Sequence, residues 1–221
     1  MTDTTGLAAP GAPDPGALPE VPPGPVAVQR AAPEAMPALA GLLARAFARD
    51  PMVVWPMVTD ADLPSRIRAH FLAVDARYAA EGWMYRAGDA LGAMALLPPD
   101  SDARQAEIDA TVAQETAGLS PDGGERYERM WSWIASLHPP ERHWLLDQLA
   151  VEPAAQGRGI GGAMLRFAIE AAAADELPLL LETGVAGNVA LYARFGFRVA
   201  RQADAPGGGP HIWFMRRDPA G

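Results

Sequence analysis

The sequence predicts an α+β domain on three observations. Apolar residues recur at helical spacing in the first half, short apolar segments of strand character lie among them, and the glycine-rich run Gln156-Gly157-Arg158-Gly159-Ile160-Gly161-Gly162 joins a strand to a helix. The 221 residues suffice for one well-buried domain but hardly for two independent cores. Hydrophobic residues make up 49% and charged residues 20%. No apolar run approaches the ~20 residues that span a bilayer, and there is neither a signal-peptide pattern nor a cysteine, so the expected location is cytoplasmic. All 18 basic residues are arginine, and 27 acidic residues bring the net charge to −9. That balance disfavours nucleic acid and anionic membranes as partners, so any anionic ligand has to be held by local chemistry.

Residues 1–25 are so rich in Pro, Gly and Ala that they are expected to form a disordered leader, with one domain over 26–221. A short strand at 26–30 precedes a helix in which Met36, Leu39, Ala40, Leu43 and Phe47 share a face. Residues 50–59 read as a proline-interrupted loop exposing Met52, Trp55 and Met57. Ile67, Phe71, Val74 and Tyr78 mark a second helix, and 82–86 with 90–97 resemble a hairpin turning at Gly88-Asp89. Two helical stretches follow, 103–117 and 124–137, separated by Ser-Pro-Asp-Gly-Gly. A strand over 143–151 leads into the glycine-rich loop and a helix over 161–174. The continuous apolar run 178–183 has the pattern of a strand buried on both faces. A short helix over 188–195 and strands at 197–202 and 211–216 complete the chain.

A helix N-terminus presents unpaired N–H groups and a partial positive charge, so an anion is held there without a basic side chain, and glycines let the backbone come close. Arg158 adds a guanidinium able to reach a phosphate. A Walker-type loop needs a lysine, and this chain has none. The dinucleotide reading fits better, since Gly157, Gly159 and Gly162 satisfy G-x-G-x-x-G and Glu182 lies 20 residues beyond Gly162. Five residues nevertheless separate Val151 from Gly157, and the chain left after Gly162 is too short for the rest of a doubly wound sheet.

The run Leu149-Ala150-Val151-Glu152-Pro153-Ala154-Ala155-Gln156-Gly157-Arg158-Gly159-Ile160-Gly161 resembles the Gln/Arg-x-x-Gly-x-Gly/Ala signature of the GCN5-related N-acetyltransferase (GNAT) superfamily, with its preceding strand. A second signature of that family is matched by Leu181-Glu182-Thr183, Asn188 and Leu191-Tyr192-Ala193-Arg194-Phe195-Gly196-Phe197. The Glu-Thr/Asn/Tyr spacing, the strand at Trp144 and the ending Trp213-Phe214-Met215-Arg216 are similar to the puromycin N-acetyltransferase-like branch.

The resemblance implies the GNAT fold: a mixed, mostly antiparallel sheet of six to seven strands splayed between strands 4 and 5, flanked by helices, with a helical insertion before strand 4. It implies acetyl-CoA as co-substrate. Gln156, Gly157, Arg158, Gly159, Ile160, Gly161 and Gly162 would hold the pyrophosphate, and Leu149, Ala150 and Val151 would pair with the pantetheine arm like a strand. Asn188 would hydrogen-bond that arm, and Tyr192 would face the thioester sulfur and protonate the departing thiolate. An amide near Leu149 is placed for the oxyanion. If Val151 faces the cofactor, strict alternation brings Leu149, Asp147 and Leu145 to the same side. Asp147 is then one candidate general base, and Glu182, within the second signature, is the other.

Simpler roles stand beside these. Tyr192 suits core packing, Glu107, Asp109 and Glu115 suit a solvated helix face, and Trp55, Trp83, Trp131 and Trp133 suit either the core or an acceptor pocket. His70, His138, His143 and His211 have no ligand spacing, so no metal site is expected. The leading function is acetyl transfer to the amine of a small molecule by a monomer or homodimer. The alternative is a non-catalytic acetyl-CoA-binding sensor or partner module.

Overall fold

The computed structural model describes residues 26–57 and 62–219; the leader expected over 1–25 lies outside them. Seven strands form one sheet in the order β1-β2-β3-β4-β5-β7-β6. They are β1 Val28–Arg30, β2 Met84–Ala87, β3 Gly92–Leu97, β4 Trp144–Val151, β5 Leu179–Thr183, β6 Arg198–Asp204 and β7 His211–Arg217. Every neighbouring pair is antiparallel except β4 and β5, which run parallel. The helices are α1 Met36–Ala46, α2 Pro51–Met57, α3 Leu63–Ala80, α4 Asp102–Thr116, α5 Glu125–Ala135, α6 Ile160–Ala174 and α7 Ala186–Ala193.

The helical spacing read from sequence corresponds to buried faces. Met36, Leu39, Ala40 and Leu43 of α1 and Ile67, Phe71, Val74 and Tyr78 of α3 pack on one face of the sheet, against Met84, Ala93, Ala95 and Leu97. Met164, Leu165, Ala168 and Ala172 of α6 cover the other face with Met94, Leu96 and Leu146. The α4–α5 insertion joins both halves. Ile108 and Val112 of α4 enter the first cluster, whereas Met130 and Ile134 of α5 meet Ile212 and Phe214 of β7.

Two expectations are corrected. Residues 51–57 form helix α2 instead of the loop expected over 50–59, whose last two residues lie outside the described ones. The Asp50 carboxylate accepts a hydrogen bond from the Met52 N–H at 2.8 Å, and Pro51 occupies the first helical position, where its missing N–H has no helical role. Met52 and Met57 are buried and Trp55 is half-buried, so none of the three is an exposed side chain. At Gly184, after β5, an added Cβ would lie 2.9 Å from both Met52 Cγ and Pro51 Cγ, so glycine is what lets α2 approach the end of that strand.

The second correction concerns β4. Its register against β3 shifts between Ala95 and Leu96: Gln148 pairs with Ala95 but Leu146 with Leu96, leaving Asp147 in a bulge. The alternation therefore changes phase. Leu149 and Val151 pack on the α6 side, whereas Leu145 lies with the α1–α3 cluster, so Asp147 and Leu145 do not continue the face of Leu149 and Val151. The bulge also bends β4 away from its neighbour. Pairing with β5 is confined to Trp144↔Leu179 and Leu145↔Leu180, and beyond them the two strands splay.

Candidate functional site

The splay leaves main-chain groups of β4 without a strand partner. The Glu152 N–H donates to the O of Leu91, the residue just before β3, at 2.8 Å, so by antiparallel periodicity Ala150 also turns its N–H towards β3. Leu149 and Val151 then direct their N–H and C=O groups to the opposite edge, where β5 has already diverged. Ala150, between them, pairs with Ala93 and buries its methyl group. The Gln156 side-chain Nε2 donates to Val151 O at 3.4 Å.

The loop that follows ends at the start of α6. Gly157 and Gly159 have φ of 79° and 84°, left-handed values that favour glycine, and Gly159 caps α6 without a side-chain hydrogen bond. Ile160 is buried and anchors the helix, so its contribution to an anion site is the backbone N–H alone. The side chains of Gln156 and Arg158 are exposed at the loop. Gly161 lies against Val151 and Gly162 near Phe195.

An inner cavity of about 110 Å³ opens at the bulge, lined by Leu146, Asp147, Gln148 and Leu149 of β4 and by Glu182, Thr183, Asn188 and Tyr192. The Asn188 side chain donates to Thr183 Oγ1 at 3.2 Å, which fixes it at the β5–α7 turn. Tyr192 is 8% exposed, with its ring 5.8 Å from that of Phe197. Burial, with a smaller effect of the Asp50 charge, pushes its phenol up to about 12. Tyr192 thus packs in the core and also reaches the cavity.

A wider cavity of about 640 Å³ continues from the same chamber between α4 and α5. Asp109, Tyr127, Trp131, Asp147 and Glu182 line both spaces. Glu182 accepts a hydrogen bond from His138 Nε2 at 2.7 Å. Burial opposes protonation of His138, but the Glu182 hydrogen bond and charge, with the charges of Asp102 and Asp147, together outweigh it and raise this imidazole above its ordinary value. Burial, then the charges of Asp109 and Glu182, pushes the Asp147 carboxyl up to about 7. Burial alone pushes Asp109 up to about 6. His70, buried beside Tyr127, is driven down to about 4 and is neutral.

The structure brings Asp147, Glu182, Asn188, Tyr192 and Leu149 to one chamber, with the loop at 156–162 at the far end of the β4 edge. Sequence reasoning missed two contributors. His138, set aside for lack of ligand spacing, pairs with a carboxylate 44 residues away. Asp109, read as part of a solvated face, is half-buried and faces the cavity, whereas Glu107 and Glu115 are exposed as expected. The stripe Gln105, Asp109 and Ala113, one turn apart and without bulk to cover a carboxylate, is the signal that could have found it. Of the four tryptophans considered, Trp131 alone lines the cavities; Trp83 packs on Tyr78, Trp133 on Phe214, and Trp55 lies under Arg126.

The acetyltransferase (GNAT) domain family matches residues 106–199, a segment containing the β4 edge, the glycine loop and α7. A Corynebacterium glutamicum protein described as histone acetyltransferase HPA2 and related acetyltransferase shares the fold at a TM-score of 0.66 and 24% identity, covering 90% of this chain and 98% of its own. Drosophila melanogaster polyamine N-acetyltransferase, which forms N-acetylagmatine, superposes at 0.60 with 14% identity over 87% of this chain and 99% of its own. Arylalkylamine N-acetyltransferase 2 from Aedes aegypti does so at 0.55 with 11% identity over 89% and 100%. Over residues 106–199 the chain is thus similar to the acetyltransferase (GNAT) domain family, and its fold is that of these solved structures. Among the described residues no helix is long and apolar enough to cross a membrane.

Proposed function

We propose that this protein transfers an acetyl group from acetyl-CoA to an amine of a small molecule by direct attack on the thioester. The observation that carries the reading is the free β4 edge, which runs from an anion-binding helix start into a chamber lined by carboxylates and a protonated phenol. The amides from Arg158 to Gly162, with the Arg158 guanidinium, hold the pyrophosphate, and Gln156 borders that loop. Leu149 and Val151 pair with the pantetheine arm, and Asn188 hydrogen-bonds it.

The ammonium first loses a proton to the hydrogen-bonded Glu182–His138 pair. The neutral nitrogen attacks the carbonyl carbon, forming the C–N bond while the Leu149 N–H stabilises the oxyanion. Collapse breaks the C–S bond, and Tyr192 protonates the leaving thiolate and is reprotonated through solvent. Asp147, in the bulge beside Gln148, supplies negative charge to the acceptor and is the second candidate for the base.

Replacing Gly159 with Ala tests the pyrophosphate assignment. No neighbouring atom lies within 4 Å of the added Cβ, so its effect is on the left-handed backbone alone. A penalty of roughly 1–2 kcal/mol on that conformation predicts an acetyl-CoA KM about tenfold higher with kcat nearly unchanged. An unchanged KM rejects the loop as the site.

The function itself is tested by thiol release from acetyl-CoA across a panel of amines that includes puromycin, chosen because of the narrower sequence likeness. Turnover is expected with cationic amines. Their KM is expected to fall as pH rises from 5.5 to 7.5, because Asp109, at about 6, and Asp147, at about 7, ionise across that window. The groups acting on Asp147 are Asp109, Glu182, Gln148 and His138. Binding of acetyl-CoA without turnover of any amine selects the sensor reading instead.

A further inference from the structure

The reactive end of an acceptor needs only the inner chamber, yet the larger volume lies beyond it. The wider cavity is of a size that buries a small-molecule ligand and extends between α4 and α5 past the catalytic groups. Its charge is one-sided. Asp102, Asp109, Glu128, Asp147 and Glu182 border it, and no arginine is among its described lining residues. His138 is already paired with Glu182, and His70 is neutral.

Among the cavity's acids, Asp109 is the half-buried one that lines both spaces and has no hydrogen-bond or ion-pair partner among the described residues. A second group, in the inner cavity that Asp109 also lines, lacks a donor. Gln148 is only 9% exposed, lines the inner cavity, and its Oε1 is buried without a hydrogen-bond partner. The rings of Tyr127 and Trp131, 5.9 Å apart, provide an aromatic wall shared by both spaces, suited to a cation's methylene chain and charge.

Resting on the acetyltransferase reading above, we propose that the α4–α5 arm of the cavity binds a second cationic group of the acceptor at Asp109, so that the preferred substrate is an elongated dication. One nitrogen lies at Glu182 and Tyr192 and is acetylated. The other remains an ammonium or guanidinium held by the Asp109 carboxylate against Tyr127 and Trp131. The bulge residue Asp147 belongs to the lining that the two spaces share.

The test compares α,ω-diamines with monoalkylamines of the same chain length as acceptors for the full-length protein, reading KM by thiol release. In the wild type the diamine of best-fitting length is expected to have a KM about tenfold or more below its monoamine, as for one charge-assisted hydrogen bond. In Asp109→Asn, matched in size, the ratio of the two constants is expected to fall close to one. Equal KM values for the matched pair in the wild type overturn the inference without any variant being needed, and so does a ratio that survives in Asp109→Asn. These outcomes leave acetyl transfer to simple amines standing. Failure to acetylate any amine overturns the acetyltransferase reading and this inference with it.

Discussion

Glu182→Gln is expected to lower kcat/KM for a small amine by about a hundredfold or more, the range associated with losing a positioned proton acceptor. The substitution keeps the shape of the side chain and can still accept from His138 Nε2, so the fold and the cavity are retained. What disappears is the carboxylate that keeps the pair basic. Burial alone would push His138 down, and the Glu182 hydrogen bond and charge turn that into a net rise, helped by Asp102 and Asp147. Neutral, proton-accepting His138 exists above this raised value, so wild-type kcat/KM climbs with pH through a limb displaced above the ordinary histidine value. In Glu182→Gln that limb is expected to move to lower pH while the plateau drops, because the neutral histidine that remains is a weaker base. Asp147 also loses one of the charges that hold it up to about 7, so it too becomes a weaker base. A pH–rate profile checks both features. Activity within threefold of wild type, with an unmoved limb, assigns the role to Asp147 and predicts the large loss in Asp147→Asn instead.

Much of this site was legible because its signals are local. The αL glycines 157 and 159, the strand before them and the helix after them are properties of a short stretch of chain, and Asn188 and Tyr192 fall one turn apart on a helix that is followed by the left-handed Gly196. The misread parts share a different origin. Pro56 suggested an interruption, but Asp50 and Pro51 supply a helix start strong enough to order a seven-residue helix, and burial of Met52 and Met57 completes it. Strict alternation along β4 failed at Asp147 because a bulge is a property of the pairing with β3 and not of β4 alone. The same bulge accounts for the splay, so the one irregularity that creates the chamber is the one that single-strand periodicity cannot show. His138 was invisible for a similar reason, since it follows α5 and meets the end of β5 only when the insertion folds over the sheet.

Tyr192→Phe is the second large effect expected, a fall in kcat of about ten- to a hundredfold, or roughly 1.4–2.7 kcal/mol of transition-state stabilisation. The ring stays against Phe197 and the buried position suits phenylalanine, so acetyl-CoA affinity and melting temperature are expected to change little. The size follows from the leaving group. A thiol with an ordinary value of about 8.5 departs without full protonation, so a proton donor helps but is not indispensable. Burial holds the phenol up to about 12, so it is fully protonated throughout the working range and is poised to donate, not to act as a base. This sets Tyr192 apart from Glu182 in a way that kinetics can read. Loss of the tyrosine lowers kcat by a constant factor from pH 6 to pH 9 without moving the acidic limb, whereas loss of the glutamate moves the limb. A Tyr192→Phe enzyme with unchanged kcat would reduce this residue to packing and leave solvent as the donor; one whose limb shifted would place Tyr192 in the proton path of the amine.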